Sequence, residues 1–199
     1  MYLEQFKMPT TTHIQSPVFV TERLYLRGVT ATDISAYAED FVNYDVIQML
    51  SAAVPWPYPD DGVREYVLEQ LIPAQGHNHW AWSICLRENP LQQIGNITLW
   101  HPGTPENRGF WLAKRHWGKG YMTEAVAPVI DYAFDGLDFD YLTFSNAAGN
   151  SRSRRVKEKT GATLVRVEPG NYVDPKLTER EVWELTPREW AKHKGNAFS

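Results

Sequence analysis

The chain contains one cysteine, Cys85. A lone thiol excludes an intrachain disulfide and any cysteine-based metal cluster. No run of about 18 apolar residues occurs, and that excludes a membrane-spanning helix. The opening stretch MYLEQFKMPTTTHIQSP (1–17) lacks the apolar centre that a secretory signal requires. Nor is there a surplus of positive charge. Lys and Arg number 20 against 24 Asp and Glu, a net charge of −4, which argues against a general nucleic-acid surface. No internal repeat or low-complexity tract is found. The expectation is a soluble, cytoplasmic domain without a metal, a membrane segment or a direct nucleic-acid partner.

What is present is core material. Of 199 residues, 43 % are apolar and 13 % aromatic, which suits one packed domain. Residues 1–17 read as an arm, 18–190 as the domain and 191–199 as a tail. RLYLRGV (23–29) alternates as a strand does. Thr30 or Thr32 is placed to cap a helix to about 41, with a second short helix to about 50. VPWPYPDDG (54–62) holds three prolines and must be a loop. Helical spacing follows over 63–72, capped by Asp60 or Asp61. HWAWSICLRE (79–88) is a strand with Trp80, Trp82, Ile84 and Leu86 on one face. Cys85, Ala81 and Ser83 share the other, so Cys85 reads as a small buried thiol. ENPLQQ reads as a hairpin turn before the strand IGNITLW (94–100). Further strands are expected at 107–113, 141–146, 162–168 and 180–185. Helices are expected at 119–134, 151–160 and in PREWAKHKG. Strands first arrive as hairpins and then alternate with helices, which predicts a mixed sheet in one α/β domain.

RHWGKG (115–120) opens the 119–134 helix. A helix start leaves four N–H groups without partners and carries positive potential. Gly118 and Gly120 let an anion approach the backbone closely, and Arg115 and Lys119 add charge. Two familiar phosphate motifs fail here. A P-loop requires Ser or Thr after its lysine, and GKGY has neither. A dinucleotide fingerprint requires a third glycine where Thr123 stands.

The full run GFWLAKRHWGKGYMTEAV (109–126) resembles the GNAT superfamily of N-acetyltransferases, most of all its RimJ/RimL-type branch. NSRSRRVKEKTGA (150–162) resembles the second signature of that branch, with Asn150, Ser153, Lys159 and Gly161 in the matching places. TERLYLR (21–27) and WPYPDDG (56–62) are similar to its opening strand and its aromatic-proline loop. The resemblance covers residues 18–186. It implies a single domain with a mostly antiparallel sheet of about seven strands, flanked by helices and splayed at its centre. The chain departs from the family in four places. Lys157 stands where many members have tyrosine, Ala162 follows Gly161 in place of phenylalanine, Asn107 stands where a glutamate is common, and Pro128 interrupts the long helix.

The resemblance implies acetyl-CoA as donor. Backbone N–H groups from His116 through Trp117, Gly118, Lys119 and Gly120 to Tyr121 would hold its pyrophosphate, with Arg115 adjoining. Trp111, Leu112 and Ala113 would pair with the pantetheine as a strand. Asn150 would bond the pantetheine, cap its helix, or do both. Ser153 would protonate the leaving thiolate. Arg152, Arg154, Arg155, Lys157 and Lys159 would attract the nucleotide 3′-phosphate or form a solvated face. Base candidates are Glu106, His101, His79, Glu168 and Glu179, and the glutamate proposed as base in one Rim-type member aligns near Asn171. Trp56, Tyr58 and Trp82 would line the acceptor pocket or pack in the core. The acceptor remains open among a protein N-terminus, an amino acid or polyamine, and a drug-like amine, and the assembly between monomer and homodimer. A CoA-binding sensor without turnover is the alternative, and RNA binding through the RSRRVKEK helix is disfavoured by the net charge.

Overall fold

A computed structural model of the protein describes residues 16–101 and 106–197. Most of the expected arm, loop residues 102–105 and the last two residues lie outside the described residues. Ser16 and Pro17 are tied down. The Ala81 N–H donates to Ser16 Oγ at 3.1 Å, and Trp82 Nε1 donates to the Pro17 carbonyl at 2.7 Å.

Five strands form one antiparallel sheet in chain order: β1 (Phe19–Val20), β2 (Leu24–Gly28), β3 (His79–Leu86), β4 (Asn89–Trp100) and β5 (Arg108–Leu112). Between β2 and β3 come α1 (Ile34–Phe41), α2 (Tyr44–Ile47) and a longer helical stretch. That stretch is α3 (Gly62–Glu65), a π-helical turn Tyr66–Leu71 and α4 (Ile72–Ala74). After β5 follow α5 (Tyr121–Asp131), which runs on into a π-helical turn Tyr132–Gly136, and then β6 (Leu142–Ala147) and α6 (Ser151–Glu158). The chain ends in β7 (Thr163–Pro169), β8 (Glu179–Leu185) and α7 (Pro187–Ala197). A second sheet has the order β6-β8-β7, antiparallel throughout.

Alternation along β3 sends side chains to two cores. Trp80, Trp82 and Ile84 pack with Leu24, Leu26, Ile97 and Leu99 under the Ala125, Val126, Val129 and Ile130 stripe of α5. Ala81 faces the other way, toward Tyr37 and Phe41 of α1 and Val63, Val67 and Leu71 beyond it. Helices therefore cover both faces, and each large apolar side chain fully buried contributes roughly 1.5–3 kcal/mol. Cys85 lies buried as expected, and burial pushes its thiol up to about 11, which leaves it unreactive.

The mixed, mostly antiparallel α/β fold is found as expected, and the splay of the sheet divides the eight strands among the described residues into groups of five and three. One expectation is corrected. The β3–β4 turn is Arg87–Glu88, with strand already resumed at Asn89. Residues 88–92 are exposed and show no alternation, so their pairing rests on backbone bonds and on Arg27 donating to the Pro90 and Leu91 carbonyls at 3.1 and 3.2 Å, while Gln93 is buried against Ser83. The two-residue strand β1 is too short to leave a pattern.

The division between the sheets creates the site. Asn107 N–H donates to the Thr143 carbonyl at 2.8 Å, and Thr143 N–H donates back to Asn107 Oδ1 at 2.5 Å. A side-chain amide thus takes the place of a backbone carbonyl. Both β5 and β6 set out from this junction, and no ladder joins them beyond it. On its other side β5 stays tightly paired with β4. A Cβ at Gly95 would lie 2.6 Å from the Trp111 carbonyl oxygen, so the residue opposite Leu112 must be glycine.

Candidate functional site

The gap between β5 and β6 is a cleft of about 650 Å³. One wall is β5 and the start of α5. The other is β6, α6 and the 169–172 turn, and Glu106 and Arg108 lie at its base. Among the described residues no group of His, Cys, Asp or Glu is placed to hold a metal ion, and no helix is long and apolar enough to cross a membrane.

The glycine turn stands at one end. Gly118 and Gly120 both have positive φ, 76° and 80°. Gly120 is the N-cap of α5 and supplies no side-chain cap, so the first N–H groups of the helix point outward. A Cβ at Gly118 would meet nothing within 4 Å, so open space adjoins the turn. Orphan donors, a helix start of eleven residues and free volume fit a phosphate group. Trp117, Gly118, Gly120 and Tyr121 line the cleft, and Trp117 is fixed by Nε1 donating to the Leu112 carbonyl at 2.7 Å. His116 lines it too. Burial, aided by the charges of Arg115 and Lys119, pushes its imidazole down.

Other members of the expected set are engaged elsewhere. Arg115 pairs with Asp40 of α1 and does not line the cleft, so its guanidinium is not aimed at the turn. Lys119 is exposed, and its carbonyl accepts from Arg23 Nη1 at 3.0 Å. Trp111 and Leu112 line the cleft along the unpaired edge of β5, whereas Ala113 is buried and its N–H goes to the Ile94 carbonyl at 2.9 Å. Free backbone groups on that edge can take an extended amide chain as a further strand.

On the opposite wall, α6 carries its polar stripe at helical spacing. Asn150 caps the helix, its Oδ1 accepting from Ser153 N–H at 3.1 Å, so the capping role is realised. Ser153 lines the cleft, and Lys157, one turn on, donates from Nζ to Ser153 Oγ at 2.8 Å. Lys157 corrects the picture of a solvated basic face, for it is 1 % exposed. Burial first, and Arg108 second, hold its amine well below a free lysine's range, against an upward pull from Glu106. Two more of its residues are engaged, whereas Arg155 and Lys159 are exposed and line the cleft. Arg154 pairs with Glu181, and Arg152 stacks 3.9 Å over the Trp117 ring.

Of the base candidates, Glu106 lines the cleft. Its carboxylate accepts from Ser145 Oγ at 2.6 Å and lies 3.3 Å from Arg180. Glu168 is paired with Arg166 and Arg180, and its carboxyl is held low by their hydrogen bonds. His79 is pushed down to about 4 by burial, away from the cleft. His101 and Glu179 also lie outside the lining, whereas Asn171 belongs to it. The three expected pocket aromatics do not line the cleft. Trp82 is fully buried between Phe19 and Tyr132, Tyr58 packs on Phe41, and Trp56 sits on Tyr44 at 43 % exposure. The aromatic lining comes from Phe110, Trp111, Trp117 and Tyr121 of the 109–126 run, and from Phe144 and Tyr172, which no motif marked. Arg108 was likewise missed, whereas Lys157 was marked by standing in the place of the family's tyrosine and by its i,i+4 spacing from Ser153.

An acetyltransferase (GNAT) domain matches residues 23–163, and the chain belongs to that family. Among curated relatives it is similar to YdaF of Bacillus subtilis, named provisionally as a ribosomal N-acetyltransferase. They are 34 % identical over 87 residues, which is 43 % of this chain and 48 % of that protein. The chain spans about half the length, or less, of three such relatives. The acetyltransferase from Agrobacterium tumefaciens is 27 % identical with a TM-score of 0.66, covering 85 % of this chain and 94 % of its own. RimJ of Mycobacterium smegmatis, solved with CoA-disulfide, has the same fold. Its TM-score is 0.72 at 18 % identity, with 87 % of this chain and 88 % of its own covered. The branch that the motifs resemble is thus represented among the matches.

Proposed function

We propose that the protein transfers the acetyl group of acetyl-CoA to a primary amine, with the α-amine of a protein or peptide N-terminus as the acceptor class. The observation that carries this reading is the cleft between β5 and β6, with a positive-φ glycine turn at one end and Ser153 on its wall. Similarity to RimJ, whose structure holds CoA-disulfide, supports CoA as the donor's carrier. The open helix start at Gly118–Gly120 would hold the pyrophosphate, and the unpaired edge at Trp111 the pantetheine amides.

The residues divide the chemistry between them. Glu106, anchored by Ser145 and Arg180, accepts the proton of the acceptor ammonium directly or through water. Backbone N–H groups on the free edge of β5 stabilise the oxyanion. Ser153 donates to the departing sulfur. Bound acetyl-CoA supplies the activated thioester. Mixing the protein with acetyl-CoA and a panel of amines, and following free thiol, tests the reading. Amine-dependent thiol release is the expected result, and none with any amine would favour a CoA-binding protein without turnover.

A further inference from the structure

Arg108 and Lys157 form a pair of buried cations for which general packing offers no reason. Arg108 is 2 % exposed, and none of its three guanidinium nitrogens has a hydrogen-bond partner among the described residues. It lies 4.0 Å over the Phe144 ring. Lys157 Nζ lies 5.5 Å from the Phe110 ring and 5.7 Å from that of Phe144, and its one hydrogen bond goes to Ser153. Groups of this kind are almost never fully buried without a countercharge. Replacing such a cation with an apolar side chain of similar volume is often neutral or stabilising. Fold stability therefore does not account for Lys157. Its position does, because it touches the cleft through Ser153 Oγ.

Building on the acetyl-transfer reading, we propose that Lys157 is the positioning residue of the leaving-group step: its ammonium holds Ser153 as donor to the sulfur and replaces the proton that Ser153 gives up. The neutral amine nitrogen bonds to the acetyl carbon, and the carbon–sulfur bond breaks with its electron pair on sulfur. Sulfur takes the Ser153 hydroxyl proton, and Ser153 Oγ takes one from Lys157 Nζ. The surplus proton on the new amide nitrogen leaves through Glu106, and solvent restores Lys157. The net products are the amide and CoA thiol. A serine hydroxyl by itself is a weak acid. With an ammonium 2.8 Å behind it, no serine alkoxide need form. The charged groups facing Lys157 are Arg108 from β5, which disfavours its charge, and Glu106 at the base of β5, which favours it. Burial pushes Arg108 down to about 9, so it is still charged at neutral pH. Glu181 is taken up by Arg154 and Asn146.

The test combines kinetics with direct titration of the protein free of acetyl-CoA. With acetyl-CoA well below KM, kcat/KM for acetyl-CoA, which reports the free enzyme's groups, should fall on the alkaline side as Lys157 loses its proton. Carbon-13 NMR of labelled lysine side chains, with the Lys157 signal identified by its absence in Lys157→Met, should titrate at the same pH. That pH should lie below those of the other lysines. Arg108→Met should move both midpoints upward together, because one cation no longer opposes the other. Lys157→Met should lower kcat roughly 10²–10⁴-fold and abolish the alkaline fall, with little change in KM for acetyl-CoA. Its melting temperature should equal or exceed that of the wild type. An unchanged kcat, an alkaline fall that survives Lys157→Met, or wild-type kinetic and NMR midpoints at different pH would overturn the proposal. If the wild type itself releases no thiol, the acetyl-transfer reading fails first. A wild type that turns over with a flat profile overturns Lys157's part alone.

Discussion

A hydroxyl that accepts from a buried ammonium sits differently from one in water. Ser153 Oγ receives Lys157 Nζ at 2.8 Å, so its own proton is left to point into the cleft. If Ser153 is the proposed donor, Ser153→Ala should lower kcat roughly 10²–10⁴-fold with little change in acetyl-CoA affinity, because such a hydroxyl would act in the transition state. Steady-state kinetics beside calorimetric binding checks this. Equal kcat, with product release shown not to limit the rate, would remove Ser153 from the mechanism. At Gly120 the constraint is conformation rather than crowding. A Cβ there meets Arg23 at an ordinary 3.5 Å, but φ is 80°, which valine adopts only under strain. Gly120→Val should therefore turn the first N–H groups of α5 away from a bound phosphate and weaken acetyl-CoA binding by roughly 2–4 kcal/mol, one or two charge-assisted hydrogen bonds. Unchanged affinity in a folded variant would place the phosphate elsewhere.

Between elements, the cleft wall on β5 depends on how firmly the rest of the sheet is held. Asp33, just ahead of α1 and 1 % exposed, joins three strands. It accepts two bonds from Arg27 of β2, at 2.7 and 2.8 Å, one from Thr30 N–H at 2.9 Å, and one from Ser83 of β3 at 2.8 Å. Gln93 of β4 in turn donates to Ser83 at 3.0 Å. Burial pushes the Asp33 carboxyl up, but the bonds from Arg27, Thr30 and Ser83 outweigh it and hold the carboxyl low. A lowered folded value means that this stabilisation is complete above the unfolded carboxylate range, near 3.9, and fades as pH falls through the lower folded value. Asp33→Asn should thus cost about 3–5 kcal/mol at neutral pH, since Arg27 is left half-buried without its charge partner. Urea unfolding across the acid range should show the difference from wild type shrinking below about pH 4. A gap independent of pH would mean that the carboxylate's charge is not what matters. Most elements were legible from periodicity, because β3 alternates strictly and α5 carries an apolar stripe. The division into two sheets was not, for it rests on one amide side chain, Asn107, standing in for backbone, and a residue type says nothing of such a substitution.

For the molecule as a whole, motif and chemistry were legible to different depths. Gly118, Gly120, Asn150 and Ser153 stand at local signatures, and all four line the cleft. Trp56, Tyr58 and Trp82 were expected there because aromatics suit pockets, yet they also suit cores, and composition does not separate the two. The lining Tyr172 and Arg180 reach the cleft from the far end of the chain, where no local pattern marks them. Acceptor preference must therefore be argued from the proton that has to leave. At pH 7 roughly one α-amine in ten is unprotonated, against roughly one lysine in 2,500. Glu106 accepts from Ser145 and lies against Arg180, and any carboxylate is a far weaker base than either amine. A weak base suffices for an α-amine and serves a lysine poorly. Peptides with a free, small N-terminal residue should accordingly be acetylated at least about tenfold faster at that amine than at an internal lysine, a ratio well inside the difference in free amine. Mass spectrometry on paired peptides, each blocked at one of the two amines, measures it. Raising the pH from about 7 to about 9 should narrow the ratio, because the lysine gains free amine after the α-amine has saturated. Acetylation confined to the lysine, or to a free polyamine, would defeat the acceptor assignment and leave acetyl transfer itself in place.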